Sequence, residues 1–224
     1  MDSMLIRRVK RSKQQAKSAY DHLSRWYDWL AAGYEERPRA AAVHRLDVRA
    51  GDAVLEIGCG TGRSLVQMGR QLGGSGVILG IDLSRGMLRV ARRRLEQRGL
   101  AGQISLQEAD GLNLPLAPAR FDRLLMTFTL ELFDTPEIPR VLAECARVLR
   151  REGRLCVLSL SREGGPNTLT RLYERVHELI PQYADCRPIY AQQALQSAGF
   201  RILRAGTISL GGLQAEEVLA QPPA

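Results

Sequence analysis

The chain has 224 residues, of which 45% are hydrophobic and 25% are charged, and its formal net charge is +8. This balance is typical of a folded domain that buries its own apolar core. No apolar run reaches the roughly 18 residues of a membrane-spanning helix, and no apolar stretch of a secretory signal follows the charged start. The 4 cysteines form no C-x-x-C pair. This argues against a zinc site or a redox dithiol and favours buried thiols in a reducing cytoplasm.

Positive charge is concentrated in residues 1–17, which contain six basic residues and a single acid. Leu5, Ile6 and Val9 lie among these cations. A basic amphipathic segment favours an anionic surface, either phospholipid headgroups or nucleic acid, and the alternative interpretation is a solvated helix face. We therefore expect a cytoplasmic protein that is peripheral at the inner membrane surface, with residues 5–17 as the contact.

The first 48 residues are predicted to form a helical cap, and residues 49–224 the main domain. Apolar residues recur at helical spacing through the cap. Gly33 marks the end of a first helix, and Pro38 opens a second helix that continues through Leu46.

In the main domain, short apolar runs alternate with helical patterns. Strands are predicted at 53–58, 76–84, 103–109, 121–127 and 154–160, and helices at 64–72, 87–98, 136–150, 168–180 and 191–198. Two closely spaced strands, from Phe200 and from Gly212, should then pair antiparallel. Strands that alternate with helices indicate βαβ units and a mostly parallel sheet.

The segment VLEIGCGTGRS ends an apolar run with Glu56 and then places glycines at Gly58, Gly60 and Gly62. A dinucleotide site needs G-x-G-x-x-G after the first strand. Here the third position of that motif is Arg63, so the pattern is G-x-G-x-G. An acid at Glu56 would repel a pyrophosphate and favour a cationic ligand such as a sulfonium. The alternative is a buried structural acid.

E-x-G-x-G-x-G is the glycine signature of the class I S-adenosylmethionine-dependent methyltransferases, and the chain resembles this family over about residues 40–210. The resemblance continues in GIDLS, EADGLNLPL, FDRLLMTFTLELF and LAECARVLRREGRL, where Arg151-Glu152-Gly153 departs from the family's paired glycine. It implies a Rossmann-like α/β fold. We expect a seven-stranded, mostly parallel sheet with one antiparallel strand, helices on both faces and extra N-terminal helices.

The resemblance also implies the cofactor S-adenosylmethionine, with S-adenosylhomocysteine as its product and no metal. Asp82 would bind the ribose hydroxyls, and Asp110 would accept a hydrogen bond from the adenine amino group. Met87 would pack against adenine, Thr127 would lie at the methionine end, and Tyr27 would contact the methionine carboxylate. The implied cofactor-binding residues are Tyr27, Glu56, Gly58, Gly60, Gly62, Asp82, Leu83, Met87, Asp110, Gly111 and Thr127.

Methyl transfer from a sulfonium is an in-line displacement, so the protein must align the acceptor and exclude water. A base is needed only where the acceptor first loses a proton. The acceptor pocket should lie over the carboxyl ends of the strands, beside the N-terminal helices, the TFTLEL turn and an insertion at about 163–190. The candidate acceptor-binding residues are Tyr20, Tyr34, Glu131, Arg187 and Tyr190, and the candidate catalytic residues are Glu131, His177 and Tyr190.

Two of these choices depend on position. Tyr20, Tyr27 and Tyr34 are seven residues apart, so one helix face would carry all three, as an aromatic lid or as plain packing. Arg187 looks like an exposed loop arginine that could bind an anionic group such as phosphate.

The identity of the methyl acceptor is less constrained. Exocyclic-amine methylases carry (D/N/S)-P-P-(Y/F) after the fourth strand, where this chain reads Thr127-Phe128-Thr129-Leu130. The layout, with YDHLSRWYDWL before the glycine loop, is most similar to the methyltransferase type 11 group of ubiquinone and menaquinone biosynthesis and its phospholipid N-methyltransferase relatives. We therefore predict a small, hydrophobic or membrane-derived acceptor, a quinone precursor or a phospholipid amine. The alternatives are a soluble metabolite as acceptor, or a nucleic-acid-binding protein on this fold.

Overall fold

The computed structural model describes residues 12–24, 27–162, 187–210 and 212–223, and for residues 27–34 the backbone alone. The predicted helix at 168–180 and most of the predicted insertion at 163–190 lie outside these residues. The same holds for the part of the predicted membrane contact that precedes residue 12.

The centre of the fold is a seven-stranded sheet. Its strands are β1 (Ala53–Ile57), β2 (Val77–Asp82), β3 (Ile104–Glu108), β4 (Phe121–Thr127), β5 (Leu149–Leu160), β6 (Arg201–Leu210) and β7 (Leu213–Gln221). They are arranged in the order 3-2-1-4-5-7-6, and β7 runs in the opposite direction to the other six. The predicted sheet is therefore confirmed. Because the strand order reverses between β1 and β4, their carboxyl ends form the switch point at which open α/β sheets bind ligands.

Helices cover both faces of this sheet, as predicted. They are α1 (Lys13–Leu23), α2 (Tyr27–Leu46), α3 (Arg63–Leu72), α4 (Arg85–Gln97), α5 (Ile138–Val148) and α6 (Ala191–Ser197). Alternate residues of β1 point to opposite faces. Val54 therefore packs in a core with α2, α3 and α4, whereas Leu55 packs in a second core with α5 and α6.

The predicted boundary between the N-terminal helices is wrong. Gly33 does not end a helix and Pro38 does not begin one, because α2 runs through both positions. A proline inside a helix removes a backbone hydrogen bond. The helix nevertheless continues, since its last turns are anchored in the core by three side chains that are 1% exposed or less, Ala42, Val43 and Leu46.

The actual break falls after Leu23, where α1 ends. Tyr20 is therefore on α1, whereas Tyr27 and Tyr34 are on α2. The prediction of one helix face with all three tyrosines is wrong, and the side chains of Tyr27 and Tyr34 lie outside the described part of the chain.

The turn predicted at Arg151–Gly153 is incorporated into β5. Phe121 of β4 pairs with Leu149 and Arg123 pairs with Arg154, so the segment between them on β5 bulges out of register. A Cβ atom at Gly153 would lie 2.8 Å from the carbonyl oxygen of Arg150. The single glycine of this segment therefore occupies a position that a side chain would not fit.

The buried thiols predicted from the sequence are confirmed at the three described positions. Cys59, Cys145 and Cys156 are buried and free, whereas Cys186 lies outside the described residues. Burial raises the pKa of the Cys145 thiol to about 12. These thiols pack as small apolar side chains.

Candidate active site

A cavity opens at the switch point between β1 and β4. Its enclosed volume is about 150 Å³, and the space with the open mouth included is about 1070 Å³. The glycine loop after β1 and the carboxyl ends of β2, β3 and β4 form the floor and the walls. Helix α1 covers one side through Lys13, Ala16, Lys17 and Tyr20, and Arg39 of α2 closes another.

The glycine loop forms the part of the floor next to β1. Gly58, Gly60 and Gly62 all have positive φ angles, of 71°, 51° and 79°. A Cβ atom at Gly58 would lie 2.3 Å from Oγ1 of Thr129, whereas a Cβ at Gly60 would meet no atom within 4 Å. The loop is therefore fixed by the residue opposite Gly58 and is open to a ligand at Gly60.

Gly62 lies below the cavity and has a different use. It is the N-cap of α3, and a Cβ atom there would lie 3.0 Å from the Cβ of Ala91 on α4. The third glycine thus permits close packing of two helices, which differs from the helix–strand packing at the third glycine of a dinucleotide site.

Two carboxylates lie at the ends of adjacent strands, as the sequence indicates. Asp82 accepts hydrogen bonds from the backbone N–H groups of Gly60 and Ser84, each at 2.8 Å. The surrounding protein raises the pKa of Asp82 to about 6, mainly by desolvation. A carboxylate has about four lone-pair positions, so Asp82 retains acceptor capacity for a hydroxyl donor from a ligand.

Asp110 is the second carboxylate. Its Oδ1 accepts from the backbone N–H of Leu112 at 3.0 Å, and its Oδ2 lies 2.6 Å from the Nζ of Lys13. Gly111 follows it, and Met87, which is 2% exposed, lies at the same end of the cavity.

Helix α1 is fixed over the cavity by ion pairs and by a helix cap. Lys13 pairs with Asp110, and Lys17 pairs with Glu108. Asp21 accepts from the Oγ of Ser84 and from the N–H of Gly86, both at 2.6 Å, at the start of α4. Lys13 and Lys17 belong to the predicted membrane contact, which stays a prediction; in the structure they pair with Asp110, which lines the cavity, and with Glu108 at the end of β3.

Arg39 is a buried site residue that the sequence prediction missed. Its Nη1 donates to Oγ1 of Thr127 at 2.9 Å, and its Nη2 donates to Glu35 at 2.5 Å. The guanidinium lies 6.0 Å from the ring centroid of Phe128. Its Nε has no hydrogen-bond partner in the described part of the chain. The i,i+4 spacing of Glu35 and Arg39 was the sequence signal that could have identified this pair.

Two predicted site residues are buried carboxyl groups that do not line the cavity. Glu56 is 0% exposed, and neither of its oxygens has a hydrogen-bond partner among the described residues. Glu131 is also 0% exposed; its Oε1 accepts from the N–H of Leu160 at 3.0 Å, and its Oε2 has no described partner. Burial raises the pKa of each to about 8. Both are therefore mostly protonated at neutral pH.

The remaining acceptor-side candidates are not brought together. Tyr20 lines the cavity, whereas Tyr190 precedes α6 and Arg187 lies behind the wall. Arg187 is 6% exposed and donates to Oγ1 of Thr135 at 3.0 Å and to the carbonyl of Phe133. The expectation of an exposed anion-binding arginine there is wrong, because the side chain supports the cavity wall. His177 lies outside the described residues.

Comparison of the sequence with known proteins identifies the family of this chain. A methyltransferase-domain family matches residues 54–153. The demethylmenaquinone methyltransferase of Lactobacillus johnsonii is 28% identical over 189 residues, which cover 81% of this chain and 76% of that protein. The 2-phytyl-1,4-naphtoquinone methyltransferase of Synechococcus elongatus is 31% identical over 163 residues, which cover 73% of this chain and 67% of that protein. The chain belongs to the class I S-adenosylmethionine-dependent methyltransferases. Its methyl donor is S-adenosylmethionine.

Some of the matched relatives are longer than this methyltransferase, and some of the matched structures share its fold at low sequence identity. The chain spans between 44% and 62% of the length of several other matched relatives. Among solved structures, the 4+2 cyclase SpnF superimposes with a TM-score of 0.76 at 19% identity, over 96% of this chain and 98% of that one. At this low sequence identity, the similarity to SpnF shows a shared fold.

Proposed function

We propose that this methyltransferase transfers the methyl group of S-adenosylmethionine to a hydrophobic, quinone-type acceptor. The observation that carries the proposal is the lining of the cavity, in which the glycine loop, Asp82 and Asp110 lie together with the apolar side chains of Phe128, Leu132 and Phe133 that follow β4. Relatives of about 30% identity that are named as quinone methyltransferases support the same acceptor class.

The cofactor fits the residues at the floor of the cavity. Asp82 would accept from both ribose hydroxyls with its remaining lone pairs, next to Leu83. Asp110 would accept from the adenine amino group beside Gly111, which requires Lys13 to share or release Oδ2. The space above Gly60 leaves room for the bound nucleoside.

At the other end of the cavity, Arg39 is the cation that we assign to the methionine carboxylate. It lines the cavity next to Thr127 and Phe128, and its Nε lacks a partner in the described residues. A charge-assisted bond there would match the planar guanidinium to a carboxylate. Contact between Tyr27 and the same carboxylate stays a prediction. The buried Glu56 interacts electrostatically with Arg39. A role for Glu56 in favouring the positively charged amino group of the ligand stays a prediction.

When bound, the cofactor supplies a methyl group already activated by the sulfonium charge. The protein's contribution is alignment and exclusion of water. Helix α1 covers the cavity through Ala16 and Tyr20, and the apolar residues after β4 hold a flat hydrophobic acceptor. A catalytic role of Glu131 stays a prediction, because its buried carboxyl group does not line the cavity.

The membrane-derived origin of the acceptor remains part of the proposal. None of the helices in the described ranges is long and apolar enough to cross a membrane. A cytoplasmic protein that touches the membrane surface would reach a lipid-embedded quinone. Lys13 and Lys17 are paired with Asp110 and Glu108. The other cations of residues 5–17, which are Arg7, Arg8, Lys10 and Arg11, lie outside the described residues.

The experiment is a methylation assay with a panel of acceptors. Purified protein is incubated with S-adenosylmethionine and, separately, a reduced demethylated quinone, phosphatidylethanolamine or a soluble phenol, and the products are identified by mass spectrometry. We expect methylation of the quinone alone. Methylation of the lipid amine or of the soluble phenol in its place would assign the enzyme to the corresponding alternative.

A further inference from the structure

The outer face of α4 is strongly basic, and the cofactor site does not use it. Its arginine face consists of Arg85, Arg89, Arg92 and Arg93, which are all exposed. With 3.6 residues per turn, these four positions lie on one side of the helix. Glu96 is the acid on the same side.

Little in the described fold accounts for this charge. Arg85 pairs with Glu108. Within the described residues, Arg89, Arg92 and Arg93 form no ion pair. Like charges at i,i+4 destabilise a helix, and a cation in its first turn opposes the helix dipole. The described contacts offset part of this cost, since Arg89 attracts the carboxylate of Asp21.

A groove lies beside this face, between α4 and α1. Arg89, Val90 and Arg93 form one wall, and His22 and Ser24 at the end of α1 form the other. Asp21 is the carboxylate that faces the groove, and its Oδ1 is already engaged by Ser84 and Gly86. The groove therefore presents the cations Arg89 and Arg93 beside the carboxylate of Asp21, and the hydroxyl of Ser24 already donates to the carbonyl oxygen of Asp21.

The position of the face connects it with the active site. Ser84 and Met87, at the beginning of α4, line the cofactor cavity, and α1 packs on both the cavity and α4. An external surface that docks along α4 would therefore lie against the side of the cavity that α1 covers.

We propose that the arginine face and its groove bind the anionic headgroups of a phospholipid membrane. Each basic residue near an anionic bilayer strengthens binding by roughly fivefold. Single-stranded nucleic acid is less well matched, because its binding uses aromatic stacking platforms and the residues described along the groove include no Phe, Tyr or Trp. The preference for lipid also rests on the proposed membrane-derived acceptor.

The test is co-sedimentation of the full-length protein with vesicles. The variant Arg89→Gln/Arg92→Gln/Arg93→Gln is compared with Arg120→Gln/Arg151→Gln/Arg204→Gln, which removes the same charge from exposed positions elsewhere. Vesicles of phosphatidylcholine with phosphatidylglycerol are expected to bind the wild type and the second variant. The first variant should bind about 100-fold more weakly. High salt should release all three, and pure phosphatidylcholine should bind none.

Equal binding by the two triple variants would overturn the proposal, and so would a wild type that ignores anionic vesicles but shifts duplex RNA in a gel. Loss of vesicle binding on replacement of Arg7, Arg8, Lys10 and Arg11, with none on α4 replacement, would assign the contact to the N-terminal segment instead. Calorimetric binding of S-adenosylmethionine by each variant checks its folding. Methyl transfer to a detergent-dissolved quinone needs no vesicle, so failure of the docking surface and failure of the proposed function give different results.

Discussion

Replacement of Glu131 by glutamine tests the buried acid behind the cavity wall. The folded protein holds the pKa of this carboxyl at about 8, against 4.5 for the free side chain. Between these two values the folded state binds a proton that the unfolded state has lost, so stability falls as the pH rises from about 4.5 to about 8. Each pH unit in this window costs about 1.4 kcal/mol. Above it the loss is complete and constant.

Glutamine keeps an oxygen that can accept from the N–H of Leu160, but it has no proton to lose. The free energy of unfolding of Glu131→Gln relative to wild type should therefore increase by about 3 kcal/mol between pH 5.5 and pH 8. Urea denaturation at several pH values, followed by circular dichroism, measures this difference. Glu152→Gln, at an exposed position of β5, is the control and should show no such trend. A difference between Glu131→Gln and wild type that stays constant over this range would refute the reasoning.

Three further predictions concern the cofactor side of the cavity. Asp82→Ala should weaken S-adenosylmethionine binding at least tenfold in calorimetry, because the ribose hydroxyls and two backbone N–H groups lose their acceptor; unchanged affinity would contradict the assignment. Gly58→Ala should unfold at a lower temperature than Gly99→Ala and lose cofactor binding, since both sites have positive φ but only the first would press a Cβ against a neighbour; equal melting temperatures would exclude the contact. Arg39→Met should destabilise the fold by about 3–5 kcal/mol, because it removes the buried guanidinium that donates to Glu35. Adding Glu35→Leu should restore the melting temperature but not the affinity, and restored affinity would remove Arg39 from the carboxylate site.

The floor of the cavity was predictable because its signals are local. Each acid follows an apolar strand, and the carboxyl ends of parallel strands meet at one edge of a sheet. Asp82 and Asp110 therefore line one cavity although 28 positions separate them. The sequence also shows that the third glycine of the motif is Gly62 and that position 63 is an arginine. The structure gives the reason, which is the close contact between Gly62 and Ala91.

The cover of the cavity was not predictable in the same way. Lys13 reaches Asp110 across 97 residues of sequence, and Lys17 reaches Glu108 across 91. A sequence shows the density of basic residues but not the acids that neutralise them. The sequence alone therefore favours an external anionic partner for the basic residues. In the structure, Lys13 and Lys17 of α1 pair with acids of the same chain.

The helix boundary failed for a related reason. Gly33 and Pro38 are strong local breakers, yet tertiary packing of the last turns of α2 outweighs their propensity. Arg187 likewise looked exposed because of its loop sequence, and its burial depends on contacts with Phe133 and Thr135, which are distant in the chain.

The most direct test of the central claim uses S-adenosylmethionine labelled in its methyl group. The full-length protein is incubated with this cofactor and a reduced demethylated quinone, beside the Asp82→Ala variant. We expect the label to appear in a quinone carrying one additional methyl group and S-adenosylhomocysteine to form in equal amount, and we expect the variant to yield little of either. Binding of the cofactor by the wild type without transfer of label to the quinone, or to any acceptor of the panel, would contradict the central claim.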